Sequence, residues 1–200
     1  MEGRCRLPKA VIRDKRIATL HLLPAAQTRD KTAVSPADME KLCAELRHLF
    51  DYILIDSPAG IERGFENAIA GADEVIVITT PHVSSIRDAD RVIGLLEAAD
   101  KKHIRLVVNR LQPDMVRRGD MLDVPDVLEI LAVELLGIIP EDDYIVVASN
   151  RGELATANPA SPAAKAYKNV ARRLLGEEVP FLPLEEDKGL FKRLARLFKR

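Results

Sequence analysis

Asp56 closes the apolar run Tyr52-Ile53-Leu54-Ile55 and is followed by Ser57-Pro58-Ala59-Gly60. An acid at the end of a buried strand is the Walker B arrangement, in which a carboxylate holds Mg2+ through water beside nucleotide phosphates. The proline and glycine behind it give a loop of defined shape, able to move with the state of a γ-phosphate. Alone the pattern is weak, because acids also end strands as turn formers. Two further strand ends carry polar chemistry. Asn109-Arg110 follow the run that ends in Val108, and Pro140-Glu141-Asp142 follow the run that ends in Ile139. A side-chain amide exchanges hydrogen bonds with a base edge, and a proline-bearing loop packs on a purine face. Taken singly, a plain turn after a strand accounts for each. A magnesium–nucleotide site also needs a phosphate cradle, G-x-x-x-x-G-K-[ST]. None of the ten glycines is followed by lysine, so this chain alone is expected not to complete such a site.

A different chemistry sits at Gly189–Arg200. On a helical wheel Leu190, Phe191, Leu194, Leu197 and Phe198 share an arc of roughly 120°. Lys192, Arg193, Arg196, Lys199 and Arg200 take the opposite side. Such a helix is about 18 Å long, too short for a hydrocarbon core roughly 30 Å thick. A basic amphipathic helix instead lies in the interface of an anionic membrane. A terminal helix docked on its own domain, or a partner-binding helix, would show the same pattern. Its place after a polar linker, with no later segment to cover its apolar face, favours lipid.

The elements that must hold these residues alternate. Strands are expected at Ile17–Leu23, Tyr52–Ile55, Val75–Thr79, Ile104–Val108 and Leu135–Ile139. Helices are expected at Pro36–Phe50, near Ala68, at Ile86–Ala99, at Pro125–Val133 and at Pro162–Leu175. Ser35-Pro36 and Ser161-Pro162 each place an N-cap hydroxyl before a proline at the first helical position, and Gly176 falls just past the last helix. Met39, Leu42, Cys43, Leu46, Leu49 and Phe50 form one apolar stripe. Short apolar strands with helical crossovers imply an α/β, doubly wound, mainly parallel sheet covered on both faces. Ligands of such sheets bind at the carboxyl ends of the strands, where Asp56, Asn109 and the 140–142 loop fall.

The chain has 200 residues, 47% hydrophobic and 30% charged, as an ordinary globular protein does. No apolar run is long enough to span a bilayer, and no signal-peptide pattern opens the chain, so a cytoplasmic location is expected. Cys5 and Cys43 lack partners at metal or redox spacing and read as reduced bystanders. The net charge of −1 hides an uneven distribution. Residues 177–188 carry five acids against Lys188, whereas 189–200 carry five cations and no acid. A nearly neutral body argues against nucleic-acid binding. The expected organisation is a domain at 1–176, an acidic and Pro-containing linker at 177–188, and the amphipathic helix at 189–200.

Long segments resemble, in order, the C-terminal two-thirds of the MinD family, membrane-associated ATPases of the ParA-like group with a deviant Walker A loop. They are LLPAAQTRDK at 22–31, YILIDSPAGIE at 52–62, ADEVIVITTP at 72–81 and VSSIRDADRVIGLLE at 83–97. NRLQPDMVRRGDMLDVPDVLEIL at 109–131, LLGIIPEDD at 135–143, SNRGE at 149–153 and the tail follow. The resemblance implies a P-loop NTPase fold in which Asp56 is the Walker B acid on the Mg2+ side. Ser57, Pro58, Ala59 and Gly60 would be the switch II loop. Asn109, Pro140, Glu141 and Asp142 would contact the adenine side of ATP. Arg87, Asp88 and Asp90 match the helix surface that binds the division inhibitor MinC and the topological regulator MinE. The residues themselves leave open a solvated helix start there, with Ser85 and Asp88 as cap and macrodipole partner. By the same resemblance, Leu190–Arg200 would carry an ATP-dependent homodimer onto anionic lipid at the cytoplasmic face of the cell membrane.

Two departures from the family stand out. Its opening strand, lysine-rich phosphate loop and switch I acid precede the point matched by Met1, so the chain is expected to be a fragment: a truncated product, a mis-called start or one piece of a split gene. Strand neighbours would then have unpaired edges, and an isolated chain would be poorly stable. Leu154 stands where the family has proline. A nucleotide-free adaptor, or a flagellar-placement or partitioning relative, are the alternative functions.

Overall fold

The computed structural model describes residues 7–24, 34–58 and 60–183, with Pro8 described by its backbone alone. They fall into two compact units divided between Ala72 and Asp73.

The first unit opens with a short helix α1 (Leu7–Ala10) and a two-residue antiparallel pair, β1 (Ile12–Arg13) with β2 (His21–Leu22). The strand expected over Ile17–Leu23 shrinks to β2. Asp14 Oδ1 accepts from the backbone N–H of Arg16 (2.7 Å) and Ile17 (2.8 Å), and this Asx turn reverses the chain where the strand was expected to begin. Helix α2 (Pro36–Leu46) starts where the Ser-Pro signal put it. Ser35 Oγ accepts from Asp38 N at 3.2 Å while the Asp38 carboxylate accepts from Ser35 N, a reciprocal capping box. The helix stops at Leu46, not Phe50, which leaves Leu49 of the expected stripe exposed. Helix α3 (Arg63–Ala70) buries Phe65 and Ala68. It packs beside α2, and a Cβ at Gly71 would meet Cys43 Sγ at 2.5 Å.

Between α2 and α3 the strand expected at Tyr52–Ile55 does not form. The segment keeps the alternation of an extended chain, half-burying Ile53 and Ile55 and exposing Tyr52 and Leu54, the latter 87%. Among the described residues it has no ladder partner. A strand is made by its neighbour's hydrogen bonds, so an apolar run without one remains merely extended.

The second unit holds the parallel sheet: β3 (Val75–Thr79), β4 (Ile104–Leu111) and β5 (Glu134–Pro140), in that order. Register runs from Val75↔Ile104 to Thr79↔Val108, and from Arg105↔Glu134 to Leu111↔Pro140. Helix α4 (Val83–Ala98) makes the first crossover and buries Ile86, Ala89, Ile93 and Leu96, one face of a 3.6-residue repeat. It begins at Val83, three residues before the expected start. Ser85 is therefore inside the helix and caps nothing; its Oγ accepts from Thr80 Oγ1 at 2.9 Å. The second crossover contains α5 (Pro113–Arg118), closed by left-handed Gly119, and α6 (Val124–Leu131). Asp123 caps α6 by accepting from Asp126 N at 2.8 Å, and Ala132 ends it by turning left-handed.

Helix α7 (Asp143–Arg151) follows β5, then a 3-10 turn at Ala155–Ala157 and helix α8 (Pro162–Leu174). Ser161 Oγ caps α8 through Ala164 N at 3.0 Å, as its Ser-Pro signal predicts. Gly137 is the point where α8 lies against β5: a Cβ there would meet Val170 Cγ2 at 2.3 Å. Ala163 and Ala166 of α8 join Val107, Leu136 and Ile139 in one buried cluster. On the other face Val77 and Thr79 are buried opposite Leu106 and Val108, with Thr79 Oγ1 donating to Ser85 O of α4 at 3.1 Å. The sheet is thus wound on both faces. Beyond α8, residues 177–183 pack on the same unit, with Leu182 against the cluster.

Candidate functional site

The carboxyl edge of the parallel sheet gathers the ends of β3, β4 and β5. Two register shifts in the β4–β5 ladder shape it, one between Leu106 and Val107 and one between Val108 and Leu111. Inside the second shift Arg110 adopts φ +56, a left-handed conformation costly for any residue with a Cβ. The Asn109 carbonyl oxygen of the side chain accepts from Arg110 N at 3.0 Å and braces that turn. Its amide nitrogen donates to no other group among the described residues, so half-buried Asn109 keeps two donors for an incoming molecule.

Arg110 reaches across to the next loop and forks onto Glu141, Nε to Oε2 at 2.8 Å and Nη2 to Oε1 at 3.2 Å. That carboxylate holds the guanidinium even more firmly protonated than usual. Glu141 N donates to Leu111 O at 2.9 Å, so backbone and side chain both tie the 140–142 loop to β4.

Asp142 does something else. Its carboxylate accepts from Tyr144 N (2.9 Å), capping α7, and from Ser161 Oγ (2.5 Å) and Ala163 N (3.3 Å) at the start of α8. Partial burial pushes this carboxyl up, but the bonds from Ser161, Tyr144 and Ala163 together outweigh it and hold the pKa below the usual range. Asp142 thus fixes the loop, while Asn109 and Pro140 remain half-buried. Not foreseen from the sequence are Arg110 as the bridge to Glu141 and the bond from Ser161, the expected N-cap of α8, to Asp142. Arg110 was visible only as the neighbour of Asn109, and contact between positions 142 and 161 has no local signal.

In the first unit Asp56 and Ser57 are exposed, and Ser57 Oγ donates to Pro58 O at 3.3 Å. Pro58 lies on α3: a Cβ at Gly64 would meet its Cγ at 2.5 Å. Ala59 lies outside the described residues. Among those described, no group of three or more His, Cys, Asp or Glu converges on a metal position. One exposed carboxylate suits Mg2+, which keeps several waters and takes its remaining ligands from phosphates. The Asp56 carboxylate and the Asn109 amide therefore fit a Mg2+–nucleotide in kind, each in its own unit.

Arg87, Asp88 and Asp90 stand on the exposed side of α4, and among the described residues none of the three side chains is paired. The amphipathic residues Leu190–Arg200 lie outside the described residues.

No protein-family model matches the chain. It is 47% identical over 201 residues to the septum site-determining protein MinD of Bacillus subtilis, covering 99% of this chain and 75% of that one. With MinD of Synechocystis it shares 51% over 194 residues, covering 96% and 73%. Among solved structures, a MinC:MinD cell division complex of Aquifex aeolicus superposes with TM-score 0.84 at 45% identity, over 91% of this chain and 73% of that one. MinD of Pyrococcus horikoshii complexed with Mg-ADP gives TM-score 0.72 at 26% identity, over 86% and 70%. The Pyrococcus furiosus cell division ATPase MinD gives 0.74 at 26%, over 87% and 72%.

Proposed function

This chain belongs to the MinD family of septum site-determining proteins, and on that premise we propose that it is a nucleotide-gated, lipid-attached regulator of division-site choice. Its match to MinD along 99% of its length is the observation that carries the proposal. In it, Asp56 holds Mg2+ through water and Ser57 to Gly60 follow the γ-phosphate. Asn109 presents its amide donors to the base, beside Pro140, on a loop that Glu141 and Asp142 hold in place. When bound, ATP with Mg2+ supplies a bridging polyphosphate whose cleavage ends the bridge between two subunits.

Pairing matters because one tail adheres weakly. Five cations near an anionic surface contribute up to about 5 kcal/mol. Ordering the helix opposes this at roughly 1–2 kcal/mol per backbone residue, offset in turn by burial of the apolar face. Two tails on one dimer make the second insertion intramolecular, which raises avidity by roughly 10²–10⁴. Exposed Arg87, Asp88 and Asp90 then offer a surface to a MinC-like inhibitor and to a MinE-like activator of hydrolysis.

Co-sedimentation with vesicles of anionic phospholipid tests the tail. The chain should pellet, and Phe191→Glu, which sets a carboxylate in the apolar face, should stay in the supernatant. Equal pelleting of both removes the tail as the anchor. A second reading, a nucleotide-free adaptor, is favoured by one fact: no glycine precedes a lysine. Titration with a fluorescent ATP analogue separates the two. Saturable binding would eliminate the adaptor, and no detectable binding would eliminate nucleotide gating of this chain.

A further inference from the structure

Arg173, in the last turn of α8, spends its whole guanidinium on one task. Nη1 donates to Leu136 O of β5 at 2.9 Å, which fixes the side chain to the sheet. Nε donates to Val179 O at 2.9 Å and Nη2 to Pro180 O at 3.0 Å, both in the chain that leaves α8. The ring of Phe181 lies over the same guanidinium, 4.1 Å from Cζ to centroid. Leu182 then packs on the cluster of Val107, Leu136 and Ile139. Just before this, Gly176 turns left-handed at φ +84 and reverses the chain, while Glu177 Oε2 accepts from Arg172 Nε at 2.8 Å. A fork of five donors suits this use, because three carbonyls and a ring face are held by one rigid planar group.

We propose that Arg173 is a positioning residue: it pins residues 177–183 to the amino edge of the sheet and so fixes where the amphipathic tail leaves the body. The proposal rests on the tail's attachment to lipid, and adds to it the root from which the tail starts. Pinned, these seven residues give the tail no reach; released, they add up to about 24 Å. The span from the body to Gly189 is then counted from Gly176 instead of Pro183, roughly twice as many residues. Effective concentration falls as about the −3/2 power of that length, so paired tails would lose about threefold in avidity.

The test uses the full chain, with a donor dye on Lys102→Cys at the amino edge of β4 (Cys5→Ser, Cys43 being buried) and acceptor lipid in anionic vesicles. Wild type should transfer energy efficiently on binding. Arg173→Met should lower transfer to below about half, given up to about 24 Å of added reach. Its Phe181–Leu182 bond should also be cut by chymotrypsin at least about fivefold faster, as expected once local protection is lost. Phe181→Ser leaves α8 intact and should lower transfer in the same direction, which guards against a misfolded Arg173 variant. Unchanged transfer in both variants overturns the proposal, whether or not cleavage accelerates. Phe191→Glu separates the two ideas, since full transfer there would sink the lipid attachment itself and not the pinning of 177–183.

Discussion

Two loops with the same sequence signal end differently. Tyr52-Ile53-Leu54-Ile55-Asp56 and Leu135–Ile139 followed by Pro140-Glu141-Asp142 are both short apolar runs closed by acids. The second is a central feature of its unit: β5 pairs with β4, Gly137 lies against α8, and every acid of its loop has a named partner. The first, among the described residues, is extended and unladdered, with Tyr52, Leu54 and Asp56 exposed. The difference lies in the neighbours. An apolar run states a capacity to pair, and pairing itself is a property of the partner strand.

Substitutions sharpen that contrast. Leu106→Ala, at a fully buried position of β4, should cost about 2–5 kcal/mol by urea unfolding. Leu54→Ala, the same change at an exposed position, should stay within about 0.5 kcal/mol. A large effect at Leu54 would mean that the 52–55 run is paired in solution, and the contrast would fail.

The acids come next. Asp142→Ala removes the cap of α7 and the link to α8, and should cost about 1–3 kcal/mol, each cap being worth roughly 0.5–2. Because its folded pKa is depressed, this contribution is fully present at neutral pH. It is lost as pH falls through the folded-state value, below about pH 4. Thermal melts of wild type and variant should therefore differ at pH 7 and converge in the acid range. Asp56→Asn should leave the neutral-pH stability within about 0.5 kcal/mol of wild type, since among the described residues no group bonds to that exposed carboxylate.

A small effect is also expected at Arg110→Gly. Glycine relaxes the left-handed backbone while the exposed pair with Glu141 is lost, two changes of opposite sign. The midpoint should barely move, whereas Arg110→Ala, which loses the pair and keeps the strain, should melt lower.

Legibility followed locality. The Ser-Pro starts of α2 and α8, the glycine after α8, and β3 were all readable because a few adjacent residues decide them. Helices α5 and α7 were missed although their signals were present: Pro113 at the start with Gly119 after the end, and Asp142 before with Gly152 after. In α7 the run Tyr144-Ile145-Val146-Val147 is β-branched and aromatic, and its β propensity masked the caps. Of the site, Asn109 and the 140–142 loop could be found by their place after strands. What each acid does could not, because Glu141 answers to Arg110 and Asp142 to Ser161, contacts of tertiary origin.

One consequence of the double cap reaches further. Asp142 grips α8 at its first turn, beside the loop proposed to face the base, and Arg173 grips the strap at its last. Thirteen residues of helix make a strut about 20 Å long between those grips. A rod held at both ends passes displacement along instead of absorbing it, so a load hung on the chain terminus is felt at the far rim of the sheet.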